Sequence, residues 1–512
     1  MRSKLPDYAM RAQRLERSGD FEAAIELYSA ALKSRPDEPE LLAAVARLAE
    51  QIDDYATAGE LWAKINILKA GAPEAADGLA RALRELGRFD EAIEVLRSSL
   101  LMHPEESRLW NALGSTLAAA GRSGEALTFF DEALRLDGRF AVAAYNRGYA
   151  KYDLGRLSEA EGDFASARKL ARKPEDVAAI ELAQSLLMLA QGDLERGWGA
   201  YEARLSPHAR KPMAFEGKGR RWTPAAPLSG KHLLAIAEQG LGDEIMFSNL
   251  IPDVLEDLGP DGRLSLAVDE RLVALFQRSF PTVAVTAYET SRRGRGANRR
   301  VPVPSSPDYW TPLASLCRRY RRSVSAFPTT RGYVRPDETR VRHWRAWLGE
   351  GPPAVGVSWR SGKMSGTRRR EYPPLDRWRA LFNTPGVRFV DLQYDGSSDE
   401  RAAIRGLGAS ELLEPPGIHL RQDIDDLGAL CAAMDSIVSV GNATAALAGA
   451  CGCNLAILVG PASWPQMGSD AYPWYPNARA LAARAYGDWD AVLSEAASFV
   501  ADSLRARRAD PG

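Results

Sequence analysis

Ala237-Glu238-Gln239-Gly240-Leu241-Gly242-Asp243-Glu244 is the stretch whose reading decides the second half of the chain. The apolar run Leu233-Leu234-Ala235-Ile236 precedes it, and Ile245-Met246-Phe247 follows, leading to Leu250. That order is strand, glycine turn, helix start. Gly240 and Gly242 let backbone approach a ligand closely, and the start of a helix offers unpaired N–H groups to an anion. Asp243 stands inside the turn, where a carboxylate either serves as a general base or caps the helix it begins. Glu244 is the alternative base.

Working outward, residues 264–268, 283–285, 354–359, 387–392, 436–440 and 455–459 read as strands. Helical segments alternate with them, at 270–280, 343–348, 425–434 and from Asn442 to Gly452. This alternation predicts parallel sheets. Two such units in tandem predict two Rossmann-like domains facing a cleft, 231–338 and 339–512, with ligands beyond the carboxyl ends of the strands. At those ends stand Trp359, Arg360 and Lys363, then Gln393 and Tyr394, then Asn442 and Thr444. Arg360 and Lys363 suit a departing phosphate. The Ala- and Gly-rich helix after Asn442 either admits a phosphate to its N–H groups or packs closely on the sheet. Trp474 and Tyr475 read as packing of the domain joint. Residues 291–300 read as an Arg/Gly-rich loop, 304–330 as loop and helix, and Arg368-Arg369-Arg370 as a further supply of charge.

Upstream the chain repeats itself. Gly19, Asp53, Gly87, Gly121 and Gly155 recur every 34 residues. Five residues after each comes Ala24, Ala58, Ala92, Ala126 or Ala160, and nine after comes Tyr28, Trp62, Leu96, Phe130 or Phe164. A sixth, shifted unit centres on Gly192, Gly197 and Tyr201. Period and anchors resemble the tetratricopeptide repeat (TPR), a helix pair per unit stacked into an all-α solenoid over residues 1–205. The large anchors are core. Asn111, Ser115, Tyr145 and Asn146 fall on first helices and are candidates for the concave face, although each also fits a solvated helix surface. Residues 206–230, broken by Pro207, Pro212, Pro224 and Pro227, read as an ordered linker whose Trp222 docks on something.

Composition sets bounds. The 512 residues are 45% apolar and 26% charged, ordinary for a soluble multidomain chain. Residues 1–200 hold 26 Lys and Arg against 33 Asp and Glu, and the remainder 40 against 34. A mildly basic second half suits an anionic small substrate and is too weak an excess to argue for nucleic acid. Four cysteines are no disulfide framework, and Cys451-x-Cys453 lacks zinc-site spacing. No apolar run approaches the roughly 18 residues that span a bilayer, so the expected compartment is the cytoplasm.

In order along the second half come Glu238-Gln239-Gly240-Leu241-Gly242-Asp243, Gly356-Val357-Ser358-Trp359-Arg360-Ser361-Gly362, Phe389-Val390-Asp391-Leu392-Gln393-Tyr394, Leu447-Ala448-Gly449-Ala450, Trp474-Tyr475-Pro476 and Gly487-Asp488-Trp489. With the repeats before them, they resemble bacterial TPR-fused glycosyltransferases of the GT-B fold. The C-terminal domain of that group is similar to the ADP-heptose lipopolysaccharide heptosyltransferases. Within it the sequence looks most like the flagellin glycosyltransferases of alphaproteobacteria. The resemblance implies a TPR domain that binds flagellin and an inverting transfer of pseudaminic acid, from its CMP form, to Ser or Thr hydroxyls. It implies Asp243 as base and an acceptor-side N-terminal unit. A nucleotide sugar would be held by Gly240, Gly242, Trp359, Arg360, Lys363, Gln393, Tyr394, Asn442 and Thr444. No metal is expected, since such enzymes stabilise the leaving phosphate with cations and helix dipoles; Asp423-x-Asp425-Asp426 reads as a helix cap. The sequence departs from the group at Gly441 and Ala446, where relatives carry Asp and His. That departure fits a different donor or a lost activity. Two other readings therefore stand: a flagellin-binding adaptor with a degenerate transferase half, and a transferase acting on polysaccharide or lipid.

Overall fold

A computed structural model describes residues 7–293, 295–302, 306–362, 364, 366–409 and 411–509. Six helix pairs form the N-terminal solenoid, from Asp7–Ser18 with Phe21–Ser34 to Pro174–Ala190 with Leu194–Ala200. Local chemistry sets each start. Asp20, Asp54 and Asp193 accept a backbone N–H from three residues ahead, and proline opens three of the first helices. The 34-residue marker is the left-handed turn between the helices of a pair: Gly19, Gly87, Gly121 and Gly155 have φ of 72–83°, and Asp53 takes the same position at φ 62°. Tyr28, Trp62, Leu96, Phe130 and Phe164 are at most 1% exposed, as core anchors should be.

Among the described residues the second half holds thirteen strands: β1 (Met213–Glu216), β2 (Arg220–Arg221), β3 (His232–Ile236), β4 (Arg263–Val268), β5 (Ala284–Ala287), β6 (Glu289–Arg293), β7 (Gly296–Arg300), β8 (Tyr309–Pro312), β9 (Ala354–Ser358), β10 (Arg388–Asp391), β11 (Ser436–Val440), β12 (Leu455–Val459) and β13 (Ala478–Ala482). One parallel sheet has the order β2-β8-β3-β4-β5 and the other β10-β9-β11-β12-β13. The central strands β3, β9, β11 and β12 are buried at every residue, since helices cover both faces of such a sheet. An all-α TPR solenoid followed by α/β units with parallel sheets is the architecture expected from the sequence.

Three expectations are corrected. Residues 206–230 are no linker: β1 pairs with β7, and β2 is the edge strand of the first sheet. Trp222 is buried, and its backbone N–H donates to Trp310 O at 2.8 Å. Within the expected loop 291–300, residues 291–293 and 296–300 are strand, paired antiparallel as parts of β6 and β7. The region expected to be loop and helix contributes β8, in the interior of the sheet. β1, β2 and β8 are short strands made by pairing with distant residues, not by local pattern.

The solenoid is not a detachable module. Trp198, at the end of the sixth pair, is 1% exposed, and four rings surround it: Tyr201, Phe247 of the first α/β unit, and Trp464 and Trp474 of the second, with centroids 5.6–6.4 Å away. Its indole N–H donates to Arg321 O at 2.8 Å. Nearby, Arg204 grips Glu238 through two hydrogen bonds of 2.7 and 2.8 Å, with both side chains at most 6% exposed. Glu238 also accepts the Ala314 N–H at 3.0 Å. Removing one partner of such a pair strands a buried charge. Arg204→Ala is therefore expected to lower the unfolding free energy by about 3–5 kcal/mol in urea titrations. A chain lacking residues 1–205 is expected to show no cooperative unfolding transition by circular dichroism; a well-folded truncated chain would contradict this account of the joint.

Candidate functional site

The glycine turn leaves β3 and opens the helix Leu241–Phe247. It is held from two sides. Arg204 fixes Glu238 from the solenoid side, and the Gln239 side chain donates to Tyr201 Oη at 2.6 Å. From the hairpin, Arg299 donates to Gln239 O at 3.1 Å and to Ala237 O. Gln239 itself sits at φ 65°, a conformation that such overdetermined bonding can hold.

Two adjacent carboxylates leave this turn in opposite directions. Glu244 points inward and is 1% exposed. It accepts Tyr288 Oη at 2.5 Å and the Asp269 N–H at 2.8 Å, and lies 3.2 Å from Arg299. The Arg299 guanidinium in turn stacks over the Tyr288 ring at 3.9 Å. Burial raises the Glu244 carboxyl to about 7, against the opposing pull of Arg299 and Tyr288. Its oxygens are committed to the fold, so the alternative base assignment does not suit it. Asp243 points outward and is half-buried. Asp243 Oδ2 accepts the Gly240 N–H at 3.1 Å, the expected cap, while Oδ1 has no hydrogen-bond partner among the described residues. Burial raises this carboxyl to about 6, with the Gly240 N–H and Arg368 pulling it down. Capping and proton transfer thus need not exclude each other.

Gly242 faces the second unit. A Cβ there would stand 3.4 Å from Ala443 Cα and 3.7 Å from Ala446 Cβ. The glycine therefore serves the close approach of two helices, Leu241–Phe247 and Ala443–Ala450, rather than a ligand. Gly240 remains exposed.

Most of the strand-end residues bond to one another. Gln393 is fully buried. Its Oε1 accepts the N–H groups of Trp359 and Arg360, both at 2.9 Å, and its Nε2 donates to Arg360 O and Tyr394 O. Asn442 caps its helix by accepting the Ala445 N–H at 3.1 Å, and donates to Ser358 Oγ at 2.8 Å. Thr444, also fully buried, donates to Leu392 O. Trp359 is 2% exposed, with its indole N–H on Glu400. These four residues form a rigid floor. Arg360 also bonds Glu400, at 2.5 and 2.7 Å. Burial would raise the Glu400 carboxyl, but Arg360 and the Ser397 N–H hold it down near about 2. Tyr394 is half-buried at the rim, and Lys363 lies outside the described residues.

Beside that floor opens a pocket of about 480 Å³, from Gln393, Tyr394 and Asp395 across to His419 and Arg421. Arg421 pairs with Asp395 at 2.9 Å, and its carbonyl accepts Arg271 from the first unit at 2.9 Å. Sequence reasoning missed His419 and Arg421, which sit in an irregular loop after Pro415-Pro416-Gly417 that carries no helical or strand periodicity. On the solenoid, Asn146 Nδ2 donates to Asn111 Oδ1 at 2.9 Å and to Ser115 Oγ at 3.1 Å, a polar ladder across two first helices. Tyr145 packs on Tyr149 and Phe164. Among the described residues no group of three or more His, Cys, Asp or Glu is placed to hold a metal ion, and no helix is long and apolar enough to cross a membrane.

Tetratricopeptide repeat models match residues 6–64 and 78–139. Over 492 residues the chain is 40% identical to Protein FlbA of Caulobacter vibrioides, covering 95% of this chain and 82% of that protein. The chain belongs to the FlbA family. Its other similarities are partial. The peroxisomal targeting signal receptor of Saccharomyces cerevisiae is 36% identical over 74 residues, 14% of this chain and 12% of the receptor. A TPR protein from Thermus thermophilus is 22% identical, covering 36% of this chain and 98% of its own, with a TM-score of 0.32. The FlbA likeness, by contrast, runs through solenoid and α/β units alike.

The different surroundings of the two turn carboxylates carry a prediction. Glu244→Ala is expected to destabilise the fold by about 3–5 kcal/mol, because it strands Arg299 in the interior. Asp243→Asn keeps a capping oxygen and is expected to cost less than about 1 kcal/mol. Urea denaturation of the two variants checks the order.

Proposed function

We propose that this chain is a protein O-glycosyltransferase whose solenoid holds flagellin while the α/β units transfer a nonulosonic sugar, pseudaminic acid from its CMP form, to Ser or Thr hydroxyls. The observation that carries the reading is Asp243: a half-buried carboxylate whose Oδ1 has no hydrogen-bond partner among the described residues, with a raised pKa, at the seam between two parallel-sheet units. A hydroxyl is a poor nucleophile until its proton is taken during attack, and a carboxylate positioned at that hydroxyl lowers the barrier. Inversion follows from direct displacement. The pocket beside Gln393 and Tyr394 suits the nucleotide, and Arg401 and Arg421 on its lining suit the phosphate, so the reading calls for no metal. The acceptor is assigned from the resemblance of the sequence to flagellin transferases and from the polar ladder Asn111–Ser115–Asn146.

Purified chain, flagellin and CMP-pseudaminic acid test this, with intact-protein mass as readout. Glycan addition is expected. Asp243→Asn should lower kcat by roughly 10²–10⁴-fold. Since burial raises Asp243 to about 6, the base is ionised only above that pH. The rate should climb through about pH 6 and level off above it, with no such climb in the residual activity of Asp243→Asn.

A second reading, a flagellin-binding adaptor, draws on Gly441 and Ala446 and on the strand-end side chains that bond one another. Flagellin binding with no transfer from any nucleotide sugar would favour it. A polysaccharide or lipid acceptor is separated by Asn111→Ala with Asn146→Ala, which should abolish modification of a protein acceptor and spare a glycolipid. Truncating the solenoid cannot make this distinction, because Trp198 and Arg204 belong to the α/β core.

A further inference from the structure

The three-stranded sheet β1-β7-β6 lies over one face of the first parallel sheet. Phe215 and Trp310 meet there with ring centroids 6.3 Å apart, beside Leu234, Ile236 and Val301. The two layers make a sandwich that is open along one side. β1 is the edge strand of one layer, and β2, only two residues long, is the edge of the other. Between these edges opens a cavity of about 450 Å³ lined by Leu205, Pro207, Met213, Phe215, Ala297 and Trp310. Close packing sets the turn from β1 to β2: a Cβ on Gly217 would stand 2.3 Å from the Trp310 indole, and Gly219 holds φ 86°.

Register fixes which main-chain groups face outward. Met213 lies beside Ala297, whose N–H donates to Pro212 O at 2.9 Å. In a parallel pair such a residue also takes the N–H two positions on. Pro212, Ala214 and Glu216 therefore face β7, while Met213 and Phe215 turn their N–H and C=O groups away from it. None of those outward groups has a hydrogen-bond partner among the described residues. Cations stand at both ends of this edge. Lys218 and Arg220 follow β1, while Arg292 stands opposite Ala297 on β6 and Arg295 sits in the hairpin turn. All four are exposed and have no ion pair among the described residues. The neighbouring acids are engaged, Glu216 by Asn298 and Glu202 by Arg204 and Arg221.

We propose that β1 is a docking edge for an extended, acidic segment of a partner polypeptide. The segment adds to the sheet as a fourth strand, seats a large apolar side chain in the cavity and sets its carboxylates against the cations at the two ends. A row of alternating main-chain donors and acceptors is matched by another polypeptide backbone, and pockets under alternate residues then select side chains. Side chains of an added strand alternate between faces, so every second one enters the cavity. The assignment is one of binding and stands without the transferase reading.

The test is fluorescence anisotropy of the full-length chain with a labelled synthetic peptide, Asp-Ser-Val-Ser-Phe-Ser-Val-Ser-Asp, in the absence of any sugar or nucleotide. Saturable binding is expected. Replacing the peptide's Phe by Ala should weaken it about tenfold to a hundredfold. N-methylation of alternate peptide amides should abolish binding for one set and spare it for the other, since one set faces β1. In the protein, Ala297→Leu fills the cavity, and Met213→Pro removes an outward N–H without touching the ladder to β7. Each should weaken binding about tenfold or more while the thermal unfolding midpoint holds. Lys218→Glu with Arg220→Glu should weaken it several-fold, by less in high salt. No binding, or binding that both cavity and edge variants leave intact, would overturn the docking site. Equal effects of the two methylated sets would overturn strand addition, and this comparison holds even if a protein variant fails to fold. A dimer in sedimentation velocity that Met213→Pro dissolves would overturn the partner assignment and give the edge to a second copy of this chain.

Discussion

The burial of Trp198 is the constraint on which the molecule depends. An indole is large enough to fill a three-way junction, and its one polar atom must find a partner there. The solenoid supplies the indole, the first α/β unit supplies Phe247 and the carbonyl of Arg321, and the second supplies Trp464 and Trp474. No part can leave without exposing the rings of the other two. The Arg204–Glu238 pair alongside adds direction to this non-directional packing, because its forked geometry sets the angle at which the last repeat meets the glycine turn.

With the turn fixed, its two neighbouring carboxylates acquire unlike chemistry. Successive residues at a helix start project about a hundred degrees apart. Glu244 therefore falls among Tyr288, Asp269 and Arg299 while Asp243 is left half-buried, holding only the Gly240 N–H among the described residues. The same division runs through the second unit. Gln393, Asn442 and Thr444 spend their polar atoms on Ser358 and on the backbone of neighbouring strand ends, and that rigid floor leaves Tyr394 and Arg421 to line the neighbouring pocket.

Much of the fold was legible in the sequence, for reasons that can be stated. The 34-residue period shows because each repeat needs a left-handed turn and a large anchor at constant spacing. The central strands show because strands covered on both faces must be apolar throughout. The edge strand β2 is two arginines, and β8 ends in proline, so neither carries a pattern; pairing with distant strands makes them. The site was harder to read. Polar residues at strand ends suit a ligand and suit one another equally well in one dimension, and only three-dimensional bonding separates Gln393 from Tyr394. The arginine run was visible as charge, but the reach of Arg370 into the solenoid depends on a contact between residues more than two hundred positions apart.

Repeat arrays whose units touch only their neighbours behave as springs, with a curvature that yields to whatever they bind. This array is tethered along its length. Lys211 holds the turn of the second repeat through Asp53 at 2.7 Å, Arg369 rests on the third, Arg370 and Tyr152 tie down the fifth, and Trp198 anchors the last. A spring clamped at so many points becomes a mould. Its radius is set by the α/β body, and the shape match in any complex has to come from the partner.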